Sequence, residues 1–301
     1  MALVEKTISK QQGFVDLHCH GGGGYNFTDA NIENIRAAIQ FHKANGTEKL
    51  IASLVTAEIA ELKKELARLI PFYQSGELSG IHLEGPYLSK VRCGAHDPKL
   101  LKAPEIDEIA SLIGFGEGAI KMITFAPELP GALAAIEFTA NQGIIAAIGH
   151  SDGTYQDALD AVNAGADLVT HFSNAMSKLK DGEQTFATAL LRNSSLPLEL
   201  IFDYVHVERS ELQEIYDYAK ERIILVTDAM AAAGQPDGKY FIGDLEVVVT
   251  DSIARLSSNN ALAGSTLTMN QAVSNAIEFG FTPDLIENAA RKLPMKLLER
   301  T

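Results

Sequence analysis

The feature that most constrains the fold of this 301-residue chain is an alternation of short apolar runs with amphipathic helical segments, repeated eight times. Apolar runs joined through helices form parallel strands with right-handed crossovers. Eight such units predict an α/β fold, a closed (β/α)8 barrel of the TIM type. The predicted strands are Gly13 to His18, Lys49 to Val55, Ser79 to Glu84, Ala119 to Ala126, Ile144 to Gly149, Leu168 to His171, Leu198 to Asp203 and Ile223 to Asp228.

Helical periodicity is clearest in five segments between these strands: Ile32 to Ala44, Glu58 to Phe72, Ile106 to Ile113, Ala132 to Ala140 and Glu211 to Lys220. After the eighth strand, two apolar runs predict a small β-hairpin within residues 238–263. Two further helices, Thr268 to Gly280 and Pro283 to Lys292, follow it. No linker or low-complexity tract interrupts this order, so we predict a single domain over residues 1–301.

The net charge and the cysteine content limit which binding partners and which cellular compartment we expect for this protein. The net charge of -14 argues against a nucleic-acid or an anionic membrane partner, because either would need a basic stripe. A small anionic substrate remains compatible with it. The two cysteines, Cys19 and Cys93, cannot build a disulfide framework. Residues 1–12 lack the apolar segment of a signal peptide, so we expect a cytoplasmic protein.

Two neighbouring predicted strands each end in a histidine. His150 follows Ile144 to Gly149, His171 ends the next strand, and the helix between them begins at a capping box formed by Thr154 and Asp157. Residues after the strand ends of such barrels line the ligand site, so His150 and His171 are expected side by side. Converging imidazoles are typical metal ligands. The alternative is two histidines that are merely hydrogen-bonded at strand ends.

The third strand adds a carboxylate, because it ends in His82-Leu83-Glu84. Glu84 with His150 and His171 would make a three-ligand metal site that leaves one coordination position open, as catalysis requires. Taken alone, a glutamate in the position of Glu84 would more often be a salt-bridge or helix-capping residue. His82 is expected to be a hydrogen-bonded core histidine.

The first strand ends in the H-x-H pair His18 and His20, followed by four glycines. Strand alternation predicts that Asp16, His18 and His20 share one face, with Leu17 and Cys19 on the other. Such a pair can chelate a metal, whereas the alternative is a buried polar cluster. Cys19 is expected to pack rather than to bind a metal.

The eighth strand ends in Asp228, which should face the same centre. A carboxylate there can act as general base toward a metal-activated water and then as general acid toward the leaving group. The alternative is that Asp228 caps the following segment.

Seven segments, in chain order, resemble the signatures of the N-acetylglucosamine-6-phosphate deacetylase family of the amidohydrolase superfamily. The match extends over nearly the whole chain. The segments are Gly80 to Pro86, Arg92 to Pro98, Gly149 to Ser151, Thr170 to Met176, Val205 to Val207, Val226 to Ala229 and Leu262 to Met269.

The resemblance implies a barrel of the metal-dependent amidohydrolase type that hydrolyses the acetamide of N-acetylglucosamine 6-phosphate to glucosamine 6-phosphate and acetate. It implies that zinc, or alternatively iron or manganese, binds Glu84, His150 and His171. A second ion would then bind His18 and His20. Asp228 would be the general base and acid, and His96 would polarise the carbonyl. The implied substrate-binding residues are Ala95, Asn174, Ala175, His206, Leu262, Ala263 and Gly264.

The chain departs from the family pattern in two ways. The family has a phosphate-binding arginine where Gly182 stands, so Lys178, Lys180 or Arg192 would have to substitute. Family members also carry a small β-sandwich formed by segments on both sides of the barrel, and we expect it to be absent here. A homodimer is compatible with the resemblance.

Two other functions remain open. The first is an amidohydrolase acting on another N-acetylamino sugar or on a cyclic amide, and the missing arginine is what keeps this alternative open. The second is a non-catalytic protein that binds a sugar phosphate.

Overall fold

The computed structural model describes residues 13–179 and 183–301. Eight parallel strands form a single sheet in which neighbours in space are neighbours in sequence, as predicted. Each predicted strand is present, and six of the eight end one or two residues earlier than predicted. The barrel strands are β1 (Phe14–Asp16), β4 (Thr47–Val55), β5 (Gly80–Glu84), β6 (Ile120–Phe125), β7 (Ile145–Ile148), β8 (Leu168–Val169), β9 (Leu198–Ile201) and β10 (Ile223–Val226).

Two small antiparallel sheets supplement the barrel. The glycine run after the first strand forms a hairpin of β2 (Gly21–Gly22) and β3 (Tyr25–Asn26), which the sequence analysis did not predict. The predicted hairpin after the eighth strand is confirmed, and a third strand joins it. Its strands are β11 (Gly238–Ile242), β12 (Leu245–Thr250) and β13 (Ile253–Leu256).

Helices surround the barrel, and two of them were not predicted. Within the described part of the chain they are α1 (Ile32–Ala44), α2 (Ile59–Gln74), α3 (Ile106–Phe115), α4 (Ala132–Asn141), α5 (Tyr155–Asn163), α6 (Phe186–Asn193), α7 (Arg209–Ala219), α8 (Met269–Phe279), α9 (Pro283–Glu287) and α10 (Leu293–Leu298). The unpredicted helices are α6 and α10, and a π-helical turn over Asn288–Lys292 joins α9 to α10. None of these helices has the length and apolar character needed to cross a membrane.

The apolar core has two layers because both faces of the barrel sheet are covered. In β10, Ile224 and Val226 belong to the cluster inside the barrel, whereas Ile223 and Leu225 belong to the larger cluster under the helices. All four are buried. This two-sided burial explains why the strands read as continuous apolar runs instead of alternating ones.

The barrel closes where the first strand meets the last. The backbone N–H of Asp228 donates to the carbonyl of His18 at 2.8 Å, and the N–H of His20 donates to the carbonyl of Ala229 at 2.8 Å. The carboxylate of Asp16 accepts hydrogen bonds from both the hydroxyl and the backbone N–H of Thr227. Closure therefore brings the ends of β1 and β10 together at the carboxyl-terminal mouth.

One prediction about the first strand is wrong. Leu17 lies in the interior cluster and Cys19 in the outer one, so these two residues do not share a face. Asp16 binds Thr227 and does not join His18 and His20. The reason is that β1 ends at Asp16 and the chain bends at Leu17, so side-chain alternation does not continue into the H-x-H segment.

Candidate active site at the mouth of the barrel

The predicted site residues lie at or after the carboxyl ends of the strands, and four of them other than glycine have unusual backbone conformations. The φ angles of His150, His171, Ala175 and Asp228 are 47°, 25°, 48° and 46°, in the left-handed region that residues other than glycine rarely adopt. Such conformations cost free energy and cluster at functional sites, where surrounding structure enforces them. The observed strain therefore marks the same mouth that the sequence pattern predicted.

Glu84, the last residue of β5, lies at the centre of the site. Its Oε1 is 3.1 Å from Nε2 of His150 and 3.0 Å from Nε2 of His171. Its Oε2 is 3.1 Å from Nε2 of His20, and Nε2 of His18 lies 3.5 Å from Oε1. The structure thus brings together all five residues predicted to bind metal, with the carboxylate between two histidine pairs.

Hydrogen bonds at the far side of the rings determine which nitrogen faces the centre. Nδ1 of His150 lies 2.8 Å from the carbonyl of Arg92, and Nδ1 of His20 lies 3.2 Å from the carbonyl of Ser53. Carbonyl oxygens only accept hydrogen bonds, so each Nδ1 carries the proton and each Nε2 of a neutral ring presents a lone pair.

Within each pair, the Nε2 atoms approach closely: 2.9 Å between His150 and His171, and 3.1 Å between His18 and His20. Facing lone pairs at such distances repel unless a positive charge lies among them. The donor set of imidazole nitrogens and one carboxylate fits a divalent cation such as zinc.

The charges around the site also favour a cation. Burial raises the pKa of Glu84, but His18, His150 and His171 outweigh burial and hold the pKa well below its usual value. Burial lowers the pKa of His18, but Glu84 and Asp228 raise it well above its usual value. The two buried carboxylates therefore attract positive charge to this position, which protons or a metal ion can supply.

His96 lies close enough to Glu84 and His150 to belong to a metal cluster, but a hydrogen bond already occupies one of its ring nitrogens. The backbone N–H of Thr56 donates to its Nδ1 at 3.3 Å. Nε2 of the neutral ring, 3.4 Å from Glu84, therefore carries the proton. Burial lowers the pKa of His96 to about 4, so the ring is neutral at neutral pH and offers an N–H donor.

Asp228 lies beside the H-x-H pair and reaches the cavity. Its Oδ1 is 3.3 Å from Nε2 of His20 and 3.5 Å from Nε2 of His18. Burial would raise the pKa of Asp228, but the two histidines outweigh it and lower the pKa to about 2. The carboxylate is therefore ionised and able to accept a proton.

A cavity of about 350 Å³ opens above these residues, and most of the predicted substrate-binding residues line it. Ala263 does not line it, because it packs in the core beneath the β11–β13 sheet. Arg192 is also absent from the lining, and its guanidinium pairs with Glu214 at 2.6 Å. Lys180 and Gly182 lie outside the described residues. The lining includes Arg92, Ala95, Asn174, Ala175, Lys178, His206, Leu262 and Gly264.

Two lining residues have partners that the sequence analysis missed. Asp203 accepts a hydrogen bond from Nδ1 of His206 at 2.7 Å and also binds its backbone N–H. Burial raises the pKa of Asp203, but these bonds from His206 lower it below its usual value. The Arg92 side chain donates to Asp152 at 2.8 Å. The sequence did contain a signal for the pair of Asp203 and His206, because Asp203 ends a predicted strand and lies three residues before His206.

Two polar residues predicted to have structural roles lie outside the cavity lining. His82 binds the hydroxyls of Ser53 and Thr124, as expected of a hydrogen-bonded core histidine. Cys19 lies in a buried cluster with Asp16 and His42. His42 Nε2 is 2.9 Å from a backbone carbonyl and carries the proton, so that cluster lacks a histidine lone pair at this atom.

A parallel barrel with histidines and two carboxylates at its mouth defines the amidohydrolase class. An N-acetyl-D-glucosamine-6-phosphate deacetylase from Mycobacterium smegmatis, solved as an aspartate-to-alanine variant in complex with N-acetyl-D-glucosamine 6-phosphate, is 41% identical with a TM-score of 0.92, over 96% of this chain and 77% of that one. The N-acetylglucosamine-6-phosphate deacetylase of Lysinibacillus sphaericus is 34% identical over 268 residues, 87% of this chain and 69% of the relative. The chain therefore belongs to the N-acetylglucosamine-6-phosphate deacetylase family, whose members are hydrolases acting on amide bonds.

A second named activity occurs among the relatives. The N-acetylgalactosamine-6-phosphate deacetylase of Escherichia coli O157:H7 is 36% identical over 291 residues, which are 95% of this chain and 77% of that protein. No family model matches the chain. The relatives thus agree on deacetylation of an amino-sugar phosphate and differ in the hexosamine.

Proposed function

We propose that this protein hydrolyses the acetamide of N-acetylglucosamine 6-phosphate, giving glucosamine 6-phosphate and acetate. The observation that supports this most strongly is the convergence of four histidine Nε2 atoms around Glu84, next to an ionised Asp228, at the floor of the cavity. The Mycobacterium smegmatis relative binds N-acetyl-D-glucosamine 6-phosphate, which is a substrate of matching chemistry.

We also propose which residues hold the metal. Glu84, His150 and His171 would bind one divalent cation, and His18 and His20 would bind a second one that shares Glu84. Zinc suits this mixture of nitrogen and oxygen ligands, although iron or manganese would also fit. When bound, such a cation acidifies a water molecule and polarises an amide carbonyl.

The chain's own residues would then perform the proton transfers. Asp228 would accept a proton from the attacking water and deliver it to the amide nitrogen, so that the C–N bond breaks and the amine leaves. His96 would donate its Nε2 hydrogen to the oxygen of the former carbonyl as negative charge develops there. The neutral state of His96 suits this role, because its Nδ1 already accepts from Thr56.

The functional test is a steady-state assay of acetate release on protein of measured metal content. The substrates are the N-acetyl derivatives of glucosamine and galactosamine, each with and without a 6-phosphate. We expect the highest kcat/KM for N-acetylglucosamine 6-phosphate. Preference for the galactosamine isomer would instead support the activity named for the Escherichia coli relative. Binding of either phosphate without acetate release would refute the hydrolase proposal.

Lys178 is the proposed substitute for the family's phosphate-binding arginine. It lines the cavity, is 58% exposed and donates to the carbonyl of Ser173 at 3.0 Å, which holds it near the mouth. We expect Lys178→Ala to raise KM for the phosphorylated substrate about tenfold with little change in kcat, since it removes a charge-assisted contact. Lys239→Ala, at an exposed lysine on β11, is the matched control. An unchanged KM would remove Lys178 from phosphate binding.

Replacing the H-x-H pair tests the division of the metal ligands. We expect the double variant His18→Ala, His20→Ala to lose the second cation and to keep the first one, which Glu84, His150 and His171 would bind. Elemental analysis of the purified protein measures this directly. Loss of all bound metal would show that the proposed division of ligands is wrong.

The subcellular location and the oligomeric state of the protein remain predictions. We propose a cytoplasmic location because both cysteines of the chain are free thiols. The predicted homodimer can be tested by light scattering of the purified protein.

A further inference from the structure

Glu199 is a carboxylate buried in the second position of strand β9. Its neighbours Leu198 and Leu200 pack in the outer apolar layer, while Ile201 packs inside the barrel, so Glu199 faces the interior. Its exposure is 0%, and it does not line the cavity. A buried carboxylate that cannot reach the substrate is costly unless it serves another group.

The contacts of Glu199 lead to the proposed cation ligands. Its Oε2 lies 3.1 Å from Nδ1 of His18 and accepts the backbone N–H of His171 at 3.1 Å. Within the described part of the chain, its Oε1 has no hydrogen-bond partner. A single carboxylate oxygen therefore contacts one ligand from each of the two proposed cation sites.

Both contacts affect ligand geometry. A proton held on Nδ1 of His18 by the carboxylate leaves the lone pair on Nε2, which is the atom that faces Glu84. The hydrogen bond to the backbone of His171 holds a residue whose φ of 25° is strained. Without the carboxylate, the His18 ring would be free to turn and the His171 backbone free to relax.

We infer that Glu199 is a positioning residue that orients His18 and His171 and thereby raises the affinity of the cation pair. This inference rests on the proposed cation sites. The negative charge of Glu199 also raises cation affinity, because a carboxylate hydrogen-bonded to the far side of an imidazole makes the ligand nitrogen more basic.

The test compares zinc binding by the wild type, Glu199→Gln and Glu199→Leu, with zinc added to the metal-free proteins and bound ions counted. We expect Glu199→Leu to weaken zinc binding at the His18 site about 10- to 100-fold. The zinc affinity of Glu199→Gln should lie between those of the wild type and Glu199→Leu, because the glutamine amide oxygen can accept a hydrogen bond but carries no charge. Glu65→Gln and Glu65→Leu are matched controls, since Glu65 on α2 is another buried carboxylate with one oxygen that has no hydrogen-bond partner among the described residues.

A second measurement separates positioning from simple loss of packing. In the zinc-loaded wild type, we expect a slowly exchanging, downfield ¹⁵N–¹H signal from Nδ1 of His18, and we expect Glu199→Leu to lose it. If the wild type binds two ions and Glu199→Leu binds both with unchanged affinity, the inference is wrong while the proposed function stands. If the wild type binds only one ion, the two-cation proposal fails, and the role of Glu199 at His18 fails with it.

Discussion

Asp228→Asn is expected to lower kcat by about 10³-fold or more while the bound metal stays near the wild-type amount. The amide has nearly the same shape as the carboxylate but cannot accept a proton at neutral pH. Because Asp228 is proposed to take a proton from water and return it to the amine, one substitution removes both transfers. Steady-state acetate release and elemental analysis on the same preparation measure the two quantities.

Asp167→Asn is the control for this variant. Asp167 is an aspartate with a side chain only 12% exposed that precedes β8, at the end of the barrel opposite the site. We expect its turnover to stay within a few-fold of wild type. Retained activity in Asp228→Asn would exclude Asp228 from proton transfer, and loss of metal would make it a ligand instead.

Replacement of Glu84 should have the second large effect, because this carboxylate lies between both histidine pairs. We expect Glu84→Ala to lose tight cation binding at both proposed sites, and turnover should fall at least as far as in Asp228→Asn. The melting temperature provides an independent measurement. A ligand that binds only the folded state stabilises it, so zinc should raise Tm in the wild type but not in Glu84→Ala.

Glu65→Gln serves again as the buried-carboxylate control and should respond to zinc as the wild type does. Glu84→Ala protein that still binds two ions would contradict the central position assigned to Glu84. One remaining ion would mean that one histidine pair binds metal without the carboxylate.

Much of the fold follows from the sequence because burial on both faces makes each barrel strand an uninterrupted apolar run. Helix α6 was not predicted, although Thr185 and Thr188 form a capping box at its start. Several strands were predicted to extend too far along the chain. The polar residues that follow these strands belong to the mouth of the barrel and not to the pleated sheet.

The candidate site was predictable where a polar residue ends an apolar strand, as Glu84 does, or lies two residues past its end, as His150, His171 and Asp228 do. It was not predictable where two distant segments must be known to meet. Glu199 is visible in the sequence as a charge within an apolar strand, but only the closed barrel places it beside His18. The prediction that Asp16 shares a face with His18 and His20 was wrong, because the alternation of residues in the sequence does not reveal where a strand bends.

The junction of the first and last barrel strands has a consequence for biosynthesis. His18 and His20 leave the ribosome early, whereas Asp228, whose backbone N–H bonds to His18, emerges about two hundred residues later. A nascent chain that has not yet reached Asp228 therefore has neither the proposed proton acceptor nor the backbone bonds that join the first strand to the last. Acetate release would then report completed barrels alone, and catalysis would begin only when the two ends of the sheet have met.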